Sequence, residues 1–530
     1  MQQLHNEIDK RRTFAIISHP DAGKTTLTEK LLLYGGAIRL AGSVKARKAA
    51  RHATSDWMEL EKQRGISVTS SVMQFEYEGF KINILDTPGH EDFSEDTYRT
   101  LVAADSAVMI IDGAKGVEKQ TIKLFQVCKM RNIPIFTFIN KMDRASKDPF
   151  ELMAELENVL GIRSCPVNWP IGTDGDFKGI YHIDENFIEL YEASTEHGAK
   201  KVNSKKGTVD DEAFTKILGE HYHEKLIEDI ELLSEAGEKF DLERIRQGEL
   251  TPIFFGSAMN NFGVEPFLER FLRYTSAPLA RKTKDGKVVD PYSAFSGFIF
   301  KIQANMDPQH RDRIAFMRIA SGEFDKGMSV THVQAHKKIK LAQPTQFMAQ
   351  DREIVEKAYA GDIVGLFDPG IFSLGDTLID SKEEFEFEGI PIFAPEYFSR
   401  ISAVDSLKRK QFLKGVEQLA KEGAIQVFKQ NNIGIEELIV GVVGALQIDV
   451  LEFRLNNEYG VEIRINRLPF RHVRWIMGEY DLDSLSLTST TVKAKDSSAR
   501  NVLLFENEWS INWALDNNKG LILQDIAPRE

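Results

Sequence analysis

Five consecutive residues carry the clearest chemical signal in this sequence. They are Asp86, Thr87, Pro88, Gly89 and His90, and they follow an apolar run that predicts a buried strand. An Asp-x-x-Gly turn supplies a carboxylate that holds Mg²⁺ through water and a backbone N–H that reaches a terminal phosphate. The next side chain then stands beside the attacking water. An imidazole at that place predicts phosphoryl transfer to water, with His90 positioned or polarised by an outside partner.

An upstream segment has the composition of a phosphate-binding loop. It lies between a predicted strand (13–17) and a predicted helix (25–34), which is the context that identifies such loops. Backbone N–H groups of such a loop surround the phosphates, Lys24 neutralises the β/γ oxygens, and the Thr25 hydroxyl ligates Mg²⁺. A chance Gly-Lys-Thr turn is the plainer alternative for the tripeptide alone. The predicted phosphate-loop residues are Ser18 (glycine in the usual pattern), His19, Pro20, Asp21, Ala22, Gly23, Lys24, Thr25 and Thr26.

A downstream motif predicts which base is bound. The predicted strand 133–139 is followed by Asn140, Lys141, Met142 and Asp143. The Asp143 carboxylate can accept both N–H donors of guanine and the Asn140 side chain can bond the base edge, whereas adenine offers no such pair of donors. A helix cap is the alternative for this tetrapeptide in isolation. Its place after a phosphate loop and the Asp86 turn favours a guanine site.

The last predicted nucleotide-binding element is a strand and turn at 252–258, followed by a helix at 264–274. Backbone N–H groups of Ser257 and Ala258 are predicted to bond the guanine oxygen. The motifs together predict GTP and GDP as ligands, Mg²⁺ as cofactor, and hydrolysis that depends on His90, Lys24 and Gly89.

The segment 55–67 occupies the place of a first switch loop. Thr25, and Asp86 through water, are the other predicted Mg²⁺ ligands. The Ser67 hydroxyl would complete the Mg²⁺ shell only when the γ-phosphate is present. An ordinary helix that ends with Gly65 as its C-cap is the alternative. Both descriptions can hold in different nucleotide states.

The elements that must position these residues form an open α/β sheet. A hairpin (72–86), a strand (106–112) and a helix (118–132) complete the pattern around the phosphate loop. Ligands of such sheets bind at the carboxyl ends of the strands, where Asp86 and the phosphate loop converge. We therefore expect a P-loop GTPase domain.

A chain of 530 residues is long enough for about three domains of roughly 100–200 residues each. After a polar linker, short predicted strands at 295–302, 314–321 and 330–341 indicate a small β-barrel. From residue 398 the order changes to β-α-β-β-α-β, which predicts a split βαβ domain. The predicted domains are 1–280 (GTPase, with an insertion around 161–250), 281–392 (β-barrel) and 393–530 (α+β split βαβ).

Composition excludes several classes of protein. A net charge of −13 argues against a broad basic face for naked nucleic acid, and no apolar run approaches the roughly 18 residues that span a bilayer. The N-terminal residues lack the pattern of a secretory signal. The two cysteines, Cys128 and Cys165, form no metal-binding or disulfide pattern. We expect a cytoplasmic protein with no membrane partner.

The motifs resemble those of the translational GTPases, the family of elongation factors G and Tu. The resemblance lies in the phosphate loop, in Arg64-Gly65-Ile66, in residues 86–90 and in residues 140–143. It implies that His90 is catalytic and is drawn toward the water by ribosomal RNA, past a gate formed at Pro20 and Ile66. Most members carry threonine at Ser67 and valine or isoleucine at Pro20.

Over nearly its full length the chain resembles the class II termination factors of that family, for instance in residues 18–26, 92–100 and 438–441. The resemblance implies a protein that works on the bacterial ribosome and promotes the dissociation and recycling of codon-reading (class I) release factors after peptide release. No oligomer signal stands out in the sequence, so we expect a monomer. An elongation or ribosome-rescue GTPase is one alternative. A nucleotide-regulated scaffold with no tie to ribosomes is another, and the acidic net charge supports it.

Overall fold

A computed structural model describes most of the chain. The described residues are 2–38, 70–172, 175–191, 204–304, 313–341, 344–348, 351–390, 393–430, 438–478, 480 and 482–525. The predicted switch residues Arg64, Gly65, Ile66 and Ser67 therefore lie outside the described residues. Within the described ranges, none of the helices combines the length and the apolar character that crossing a membrane requires.

The first domain alternates strands with helices. Its strands are β1 (Arg11–Ser18), β2 (Ser71–Tyr77), β3 (Phe80–Asp86), β4 (Ser106–Asp112), β5 (Ile135–Asn140), β6 (Arg163–Pro166), β7 (Asn168–Ile171), β8 (Gly179–His182), β9 (Phe187–Tyr191), β10 (Ser204–Gly207) and β11 (Leu250–Phe255). Its helices are α1 (Gln2–Asp9), α2 (Lys24–Tyr34), α3 (Ser94–Val102), α4 (Lys119–Met130), α5 (Pro149–Leu160), α6 (Glu212–Leu218), α7 (Glu220–Ala236), α8 (Leu242–Arg246) and α9 (Val264–Tyr274).

Seven of these strands form the main sheet, in the order β2-β3-β1-β4-β5-β11-β6. All neighbours in it are parallel except β2, which pairs with β3 as an antiparallel hairpin. The hairpin turns at Glu78 and Gly79, both at positive φ. The predicted open sheet, hairpin and flanking helices are confirmed.

Side chains alternate between two buried layers along each strand of the main sheet. On β1, Phe14 and Ile16 belong to the layer packed on α2 and α9, whereas Ala15 and Ile17 belong to the layer packed on α4 and α5. Helices on both faces bury the sheet and leave the carboxyl ends of its parallel strands open to a ligand.

An inserted unit lies in the chain between β6 and β11, and its strands pack in the same buried cluster as one face of the main sheet. Its antiparallel sheet has the order β10-β9-β8-β7, and α6 and α7 follow it in the chain. Strand β6 falls within the range predicted as insertion, yet it pairs with β11 as the edge of the main sheet. The insertion proper therefore begins after β6.

The second domain consists of strands. They are β12 (Arg281–Lys282), β13 (Val288–Val289), β14 (Ser296–Ala304), β15 (Arg313–Ser321), β16 (Glu323–Asp325), β17 (Ser329–His332), β18 (Lys337–Lys340), β19 (Thr345–Met348), β20 (Asp351–Ile354), β21 (Lys357–Tyr359), β22 (Ile363–Phe367) and β23 (Thr377–Ile379). Eight of them form one antiparallel sheet, in the order β18-β17-β23-β14-β15-β22-β19-β20. The prediction of one strand at 330–341 is wrong, because the chain turns between β17 and β18 with His336 at φ 50°.

The third domain contains α10 (Arg409–Lys421), α11 (Leu446–Tyr459) and α12 (Glu508–Asn517). Its strands are β24 (Tyr397–Ala403), β25 (Gln426–Gln430), β26 (Leu438–Val442), β27 (Ile463–Leu468), β28 (His472–Met477), β29 (Val492–Lys495), β30 (Asn501–Phe505) and β31 (Ile522–Gln524). The predicted β-α-β-β-α-β order is confirmed from β24 to β27. Strands β28 to β31 were not predicted, and they extend the sheet beyond β25. The full strand order is β27-β24-β26-β25-β29-β30-β28-β31.

Buried charges join the second domain to the first. Arg318 on β15 donates to the Thr13 hydroxyl at 2.6 Å and also pairs with Asp105. Arg11 on β1 pairs with Asp362 at 2.8 Å, and both side chains are almost fully buried. Removing one partner of such a pair leaves an uncompensated buried charge, so these contacts hold the two domains in a defined arrangement.

Candidate nucleotide-binding site

The phosphate loop joins β1 to α2 and has the backbone shape that an anion requires. Asp21 and Gly23 adopt positive φ values of 66° and 100°. A Cβ atom at Gly23 would lie 2.2 Å from Nδ2 of Asn140, so a side chain is excluded there. Gly23 directly precedes α2 and has no side chain with which to cap it. The first N–H groups of α2 are therefore suited to phosphate oxygens.

The remaining loop residues surround this turn. The Ala22 N–H donates to the carbonyl of His19 at 3.3 Å, and Nε2 of His19 lies 3.3 Å from Oε1 of Glu118. The Ser18 hydroxyl is buried without a hydrogen-bond partner among the described residues. Thr25 and Thr26 lie in the first turn of α2 and are partly exposed.

Lys24 and Asp86 meet at the centre of the site. The ammonium of Lys24 donates to Oδ1 of Asp86, and both side chains are buried. The contact arises because β1 and β3 are parallel neighbours with Ile16 opposite Asp86, so the loop after β1 and the end of β3 share one edge. The Thr87 hydroxyl donates to the Ile16 carbonyl at 2.7 Å and ties the two strand ends together.

Gly89 lies against the phosphate loop. A Cβ atom added to it would lie 3.5 Å from the backbone nitrogen of Pro20, which is ordinary van der Waals contact. The preceding carbonyl, of Pro88, accepts a hydrogen bond from the Thr97 hydroxyl at 3.1 Å, which fixes this turn to α3. The Asp86 turn and the phosphate loop are thus packed together through backbone.

His90 is partly exposed beside this contact, with about 35% of its side chain accessible. Its Nδ1 accepts a hydrogen bond from the Asp92 N–H at 3.3 Å. The ring therefore lies beside Asp92, directly after the Asp86 turn.

Asn140 links three loops of the site. Its Nδ2 donates to the Ala22 carbonyl at 2.8 Å, and its Oδ1 accepts from the N–H groups of Lys141 and Ala258, each at 2.9 Å. The sequence predicts a bond from this side chain to the base edge. In the structure, these bonds to backbone instead tie the phosphate loop to the guanine motif.

Asp143 has the free carboxylate oxygen that guanine recognition requires. Its Oδ2 accepts from Nδ2 of Asn260 at 3.0 Å, whereas Oδ1 is buried without a hydrogen-bond partner among the described residues. A buried, unpaired carboxylate oxygen is costly unless a ligand supplies donors, and the N1–H and N2–H of guanine are such donors. The geometry of Asp143 therefore fits the predicted base.

Lys141 and Met142 have different surroundings. Lys141, at φ 70°, sends its ammonium to the Asp21 carbonyl and to Asp112 Oδ2, each at 2.6 Å. Lys141, directly after β5, therefore ties the phosphate loop to the end of β4. Met142 is fully buried in the hydrophobic core, so its contribution to the site is packing.

The turn after β11 lies beside Asn140 but closes on itself. The N–H of Ser257 donates to the Phe262 carbonyl at 2.9 Å, and the N–H of Ala258 is taken by Asn140. Both N–H groups that the sequence predicts for the guanine oxygen therefore have partners within the protein. The physical reason is that the Ser257–Phe262 bridge folds the loop back toward β11.

The chain just after the predicted switch is fixed between two domains. The Ser70 N–H donates to Asp96 Oδ2 at 2.5 Å, and Lys301 of β14 donates to the Ser70 hydroxyl at 2.9 Å. Burial raises the pKa of Asp96, but Lys301 and Ser70 outweigh it and hold that pKa below its usual value. The carboxylate is therefore ionised at neutral pH.

Magnesium needs few protein ligands when phosphate supplies the rest of its shell. In the described part of the chain, no three His, Cys, Asp or Glu side chains converge as a metal site. Thr25 and Asp86 lie at the start of α2 and the end of β3, where a hydroxyl and a water-mediated carboxylate would serve an ion held mainly by phosphate. This donor set fits Mg²⁺ bound with a nucleotide.

Sequence reasoning missed several residues that shape the site. Asp112 at the end of β4 had a usable signal, because the carboxyl end of a parallel strand faces the ligand edge. Asn168 and Tyr191 come from the insertion, and no local pattern connects them with a nucleotide.

The family comparisons agree with this architecture, and together the fold and the site define a P-loop GTPase of the translation-factor class. The Elongation factor Tu GTP binding domain matches residues 9–277, Elongation factor G domain 2 matches residues 294–381, and the C-terminal domain of class II release factor RF3 matches residues 387–515.

Full-length relatives make the identification particular. Peptide chain release factor 3 of Symbiobacterium thermophilum is 59% identical over 528 residues, covering 99% of both chains. That of Listeria monocytogenes is 54% identical over 525 residues, again covering 99% of both, and that of Trichodesmium erythraeum is 52% identical, covering 99% of this chain and 97% of the relative. The chain therefore belongs to the peptide chain release factor 3 family, and it is a release-factor GTPase that binds GTP and GDP.

A solved structure supports the fold alone. A crystal structure of a Thermus thermophilus protein, 22% identical, covers 92% of this chain and 72% of its own with a TM-score of 0.69.

Proposed function

We propose that this protein is a ribosome-dependent GTPase of bacterial translation termination. After peptide release it promotes the dissociation and recycling of the codon-reading release factors, then hydrolyses GTP and leaves the ribosome. The observation that carries the proposal is the full-length identity of 52–59% to peptide chain release factor 3 proteins, combined with the site built from Lys24, Asp86 and His90. Action on ribosomes makes the cytoplasm its place of work.

Hydrolysis depends on positioning and electrostatics. The N–H groups at the start of α2 and the ammonium of Lys24 cradle the phosphates, and Lys24 exchanges its contact with Asp86 for one with phosphate oxygens. Mg²⁺, held by Thr25, Ser67 and water on Asp86, would supply further charge neutralisation. The Gly89 N–H contacts the γ-phosphate, and His90 orients the attacking water.

Guanine recognition follows from the carboxylate of Asp143, which accepts the two N–H donors of the base. Asn140 and Lys141 contribute by holding the phosphate loop against this motif. Ser257 and Ala258 close the site through the loop after β11. Adenine lacks the donor pair and leaves the buried Asp143 oxygen unpaired, which disfavours its binding.

Ribosome dependence is attributed to His90. Its ring is turned to Asp92 in the structure, and a ribosomal partner is proposed to draw it toward the water. Pro20 packs against Gly89 and is proposed, with Ile66, to flank the path of the imidazole. A gate at Pro20 is stiffer than one made by valine or isoleucine, because the proline ring fixes φ.

The test is release-factor recycling on terminated ribosomes supplied with GTP. Wild-type protein should release bound class I factor over many rounds, whereas His90→Ala should support only about one round because it stays bound without hydrolysis. His221→Ala, which alters an exposed histidine of α7, is the matched control and should recycle like the wild type. Wild-type protein that leaves the class I factor on the ribosome would overturn the proposal.

A further inference from the structure

Three aromatic rings join the insertion to the loop after β11. Phe177 and Tyr191 come from the insertion, and Phe262 ends the loop. The rings of Tyr191 and Phe262 lie 4.8 Å apart at an interplanar angle of 7°, and Phe177 lies 5.7 Å from Phe262 at 16°. Near-parallel rings at these distances form a packed stack. The insertion therefore directly contacts the loop after β11, residues 256–262, which we call the guanine loop.

The stack is reinforced by a hydrogen bond. The backbone N–H of Gly263 donates to the hydroxyl oxygen of Tyr191 at 2.9 Å. Gly263 adopts φ 71° as the chain enters α9, and a Cβ atom there would lie 2.8 Å from the Phe255 carbonyl, so this turn has little freedom. Burial of the hydroxyl is the main cause that raises the pKa of Tyr191 well above its usual value, which keeps the group neutral.

The other end of the loop is held by the insertion as well. Asn168, the first residue of β7, accepts from the Phe255 N–H at 2.7 Å and donates to the Phe255 carbonyl at 3.0 Å. The segment 256–262 is therefore attached to the insertion at both of its ends, through Asn168 and through Tyr191.

The segment 256–262 also forms hydrogen bonds to two residues of the guanine motif, Asn140 and Asp143. Its Ala258 N–H bonds Asn140, and its Asn260 amide bonds Asp143. A path thus runs from Tyr191 to Phe262 and Gly263, along the loop backbone to Asn260, and from the Asn260 amide to Asp143. Loosening the first contact would let the loop, and with it the Asp143 carboxylate, move away from the base.

We propose that Tyr191 is a positioning residue through which the insertion holds the guanine loop closed and slows the release of guanine nucleotide. Tyr191 contacts Gly263 and Phe262, and it acts on the nucleotide site through them. The inference rests on the proposed function, in that Asp143 accepts the two N–H donors of guanine and the loop after β11 closes the site.

Tyr191→Phe tests this with the aromatic stack retained. The variant removes the acceptor for the Gly263 N–H, and a fluorescent methylanthraniloyl-GDP should dissociate about 5- to 10-fold faster, which corresponds to the loss of one hydrogen bond. The turnover number for GTP at saturating nucleotide on ribosomes should stay unchanged, because His90 and Lys24 are untouched. A rise in KM with constant kcat distinguishes positioning from general damage.

Tyr181→Phe is the matched control. The Tyr181 hydroxyl bonds Asn186 at 2.9 Å within the same insertion, and neither residue belongs to the guanine loop. It should leave the GDP dissociation rate at the wild-type value. Tyr191→Leu, which also removes the stack, should release GDP faster than Tyr191→Phe.

Equal dissociation rates for wild type, Tyr191→Phe and Tyr181→Phe would overturn the positioning role while leaving the guanine site intact. Faster release from both Phe variants would also overturn it, since the insertion would then act only through its overall stability. Wild-type protein with no affinity for GDP would overturn the guanine site itself, and with it the role of Tyr191.

Discussion

The carboxylate of Asp92 accepts a hydrogen bond at 2.7 Å from the backbone N–H of Leu446, the first residue of α11. Asp92 lies two residues beyond His90, and its own N–H donates to the His90 ring. Ala445 precedes α11 and has no side-chain acceptor, so a carboxylate from the first domain caps a helix of the third. One residue therefore links the candidate catalytic histidine to the C-terminal domain.

Replacing Asp92 by alanine should loosen the start of α11 without affecting nucleotide binding. The variant loses a charge-assisted hydrogen bond at a helix N-terminus, so the Leu446 amide should exchange with deuterium roughly tenfold faster. Hydrogen exchange followed by mass spectrometry measures this directly. Glu452→Ala, at an exposed position on α11, is the control and should keep wild-type protection. Unchanged exchange in Asp92→Ala would show that the capping contact contributes nothing.

A methyl group at Gly444 should separate the same two domains. The Cβ atom of Gly444→Ala would lie 2.2 Å from Cα of Asp92, a backbone atom that cannot rotate away. We expect a loss of about 1–3 kcal/mol in the free energy of unfolding, measured by urea denaturation. Gly389→Ala adds the same methyl in open space and should stay within about 0.5 kcal/mol of wild type. Equal stabilities for the two variants would argue against tight packing at Asp92.

The periodic elements of the first domain could be predicted because each carries a local signal. Helix α9 begins and ends at the predicted residues since its apolar side chains recur with helical spacing. The strand predicted at 330–341 failed for the opposite reason. Its turn is made by His336 at positive φ, and the segment contains none of the Gly, Pro, Asn or Asp residues that signal a turn.

The contacts within the site were harder to predict than its members. The sequence predicts Asn140 as a site residue, yet its partners Ala22 and Ala258 lie 118 positions away in the chain on either side. Which acceptor or donor an amide chooses depends on loops brought together by the sheet order. The same limit applies to Tyr191, whose contacts with Phe262 and Gly263 exist only in three dimensions.

Asp143→Asn should change the preferred base. An amide at this place turns its oxygen toward Asn260 and presents an N–H₂ group to the base, where guanine also presents donors. GDP should bind at least about 100-fold more weakly, and xanthosine diphosphate, which has an acceptor at that edge, should bind better than GDP. Equilibrium titration of both nucleotides checks the reversal. Retained GDP affinity would show that Asp143 does not contact guanine.

Both cysteines should be inert in the folded protein. Burial raises the pKa of the Cys128 and Cys165 thiols to about 12. At pH 8 the thiolate is then roughly one part in ten thousand, and a thiol reagent reacts with the thiolate. Titration with Ellman's reagent should find no reactive thiol in the native state and two in guanidinium chloride. A thiol that reacts within seconds in native protein would contradict the buried environments.

His90 is proposed to orient the attacking water for GTP hydrolysis only when the ribosome is bound. The most direct measurement compares the rate of GTP hydrolysis by wild type and His90→Ala, each with and without ribosomes. Wild type should be slow alone and strongly accelerated by ribosomes, and His90→Ala should lose about 100-fold or more of the accelerated rate while still binding GTP. Equal wild-type rates with and without ribosomes, or full acceleration of His90→Ala, would contradict the account.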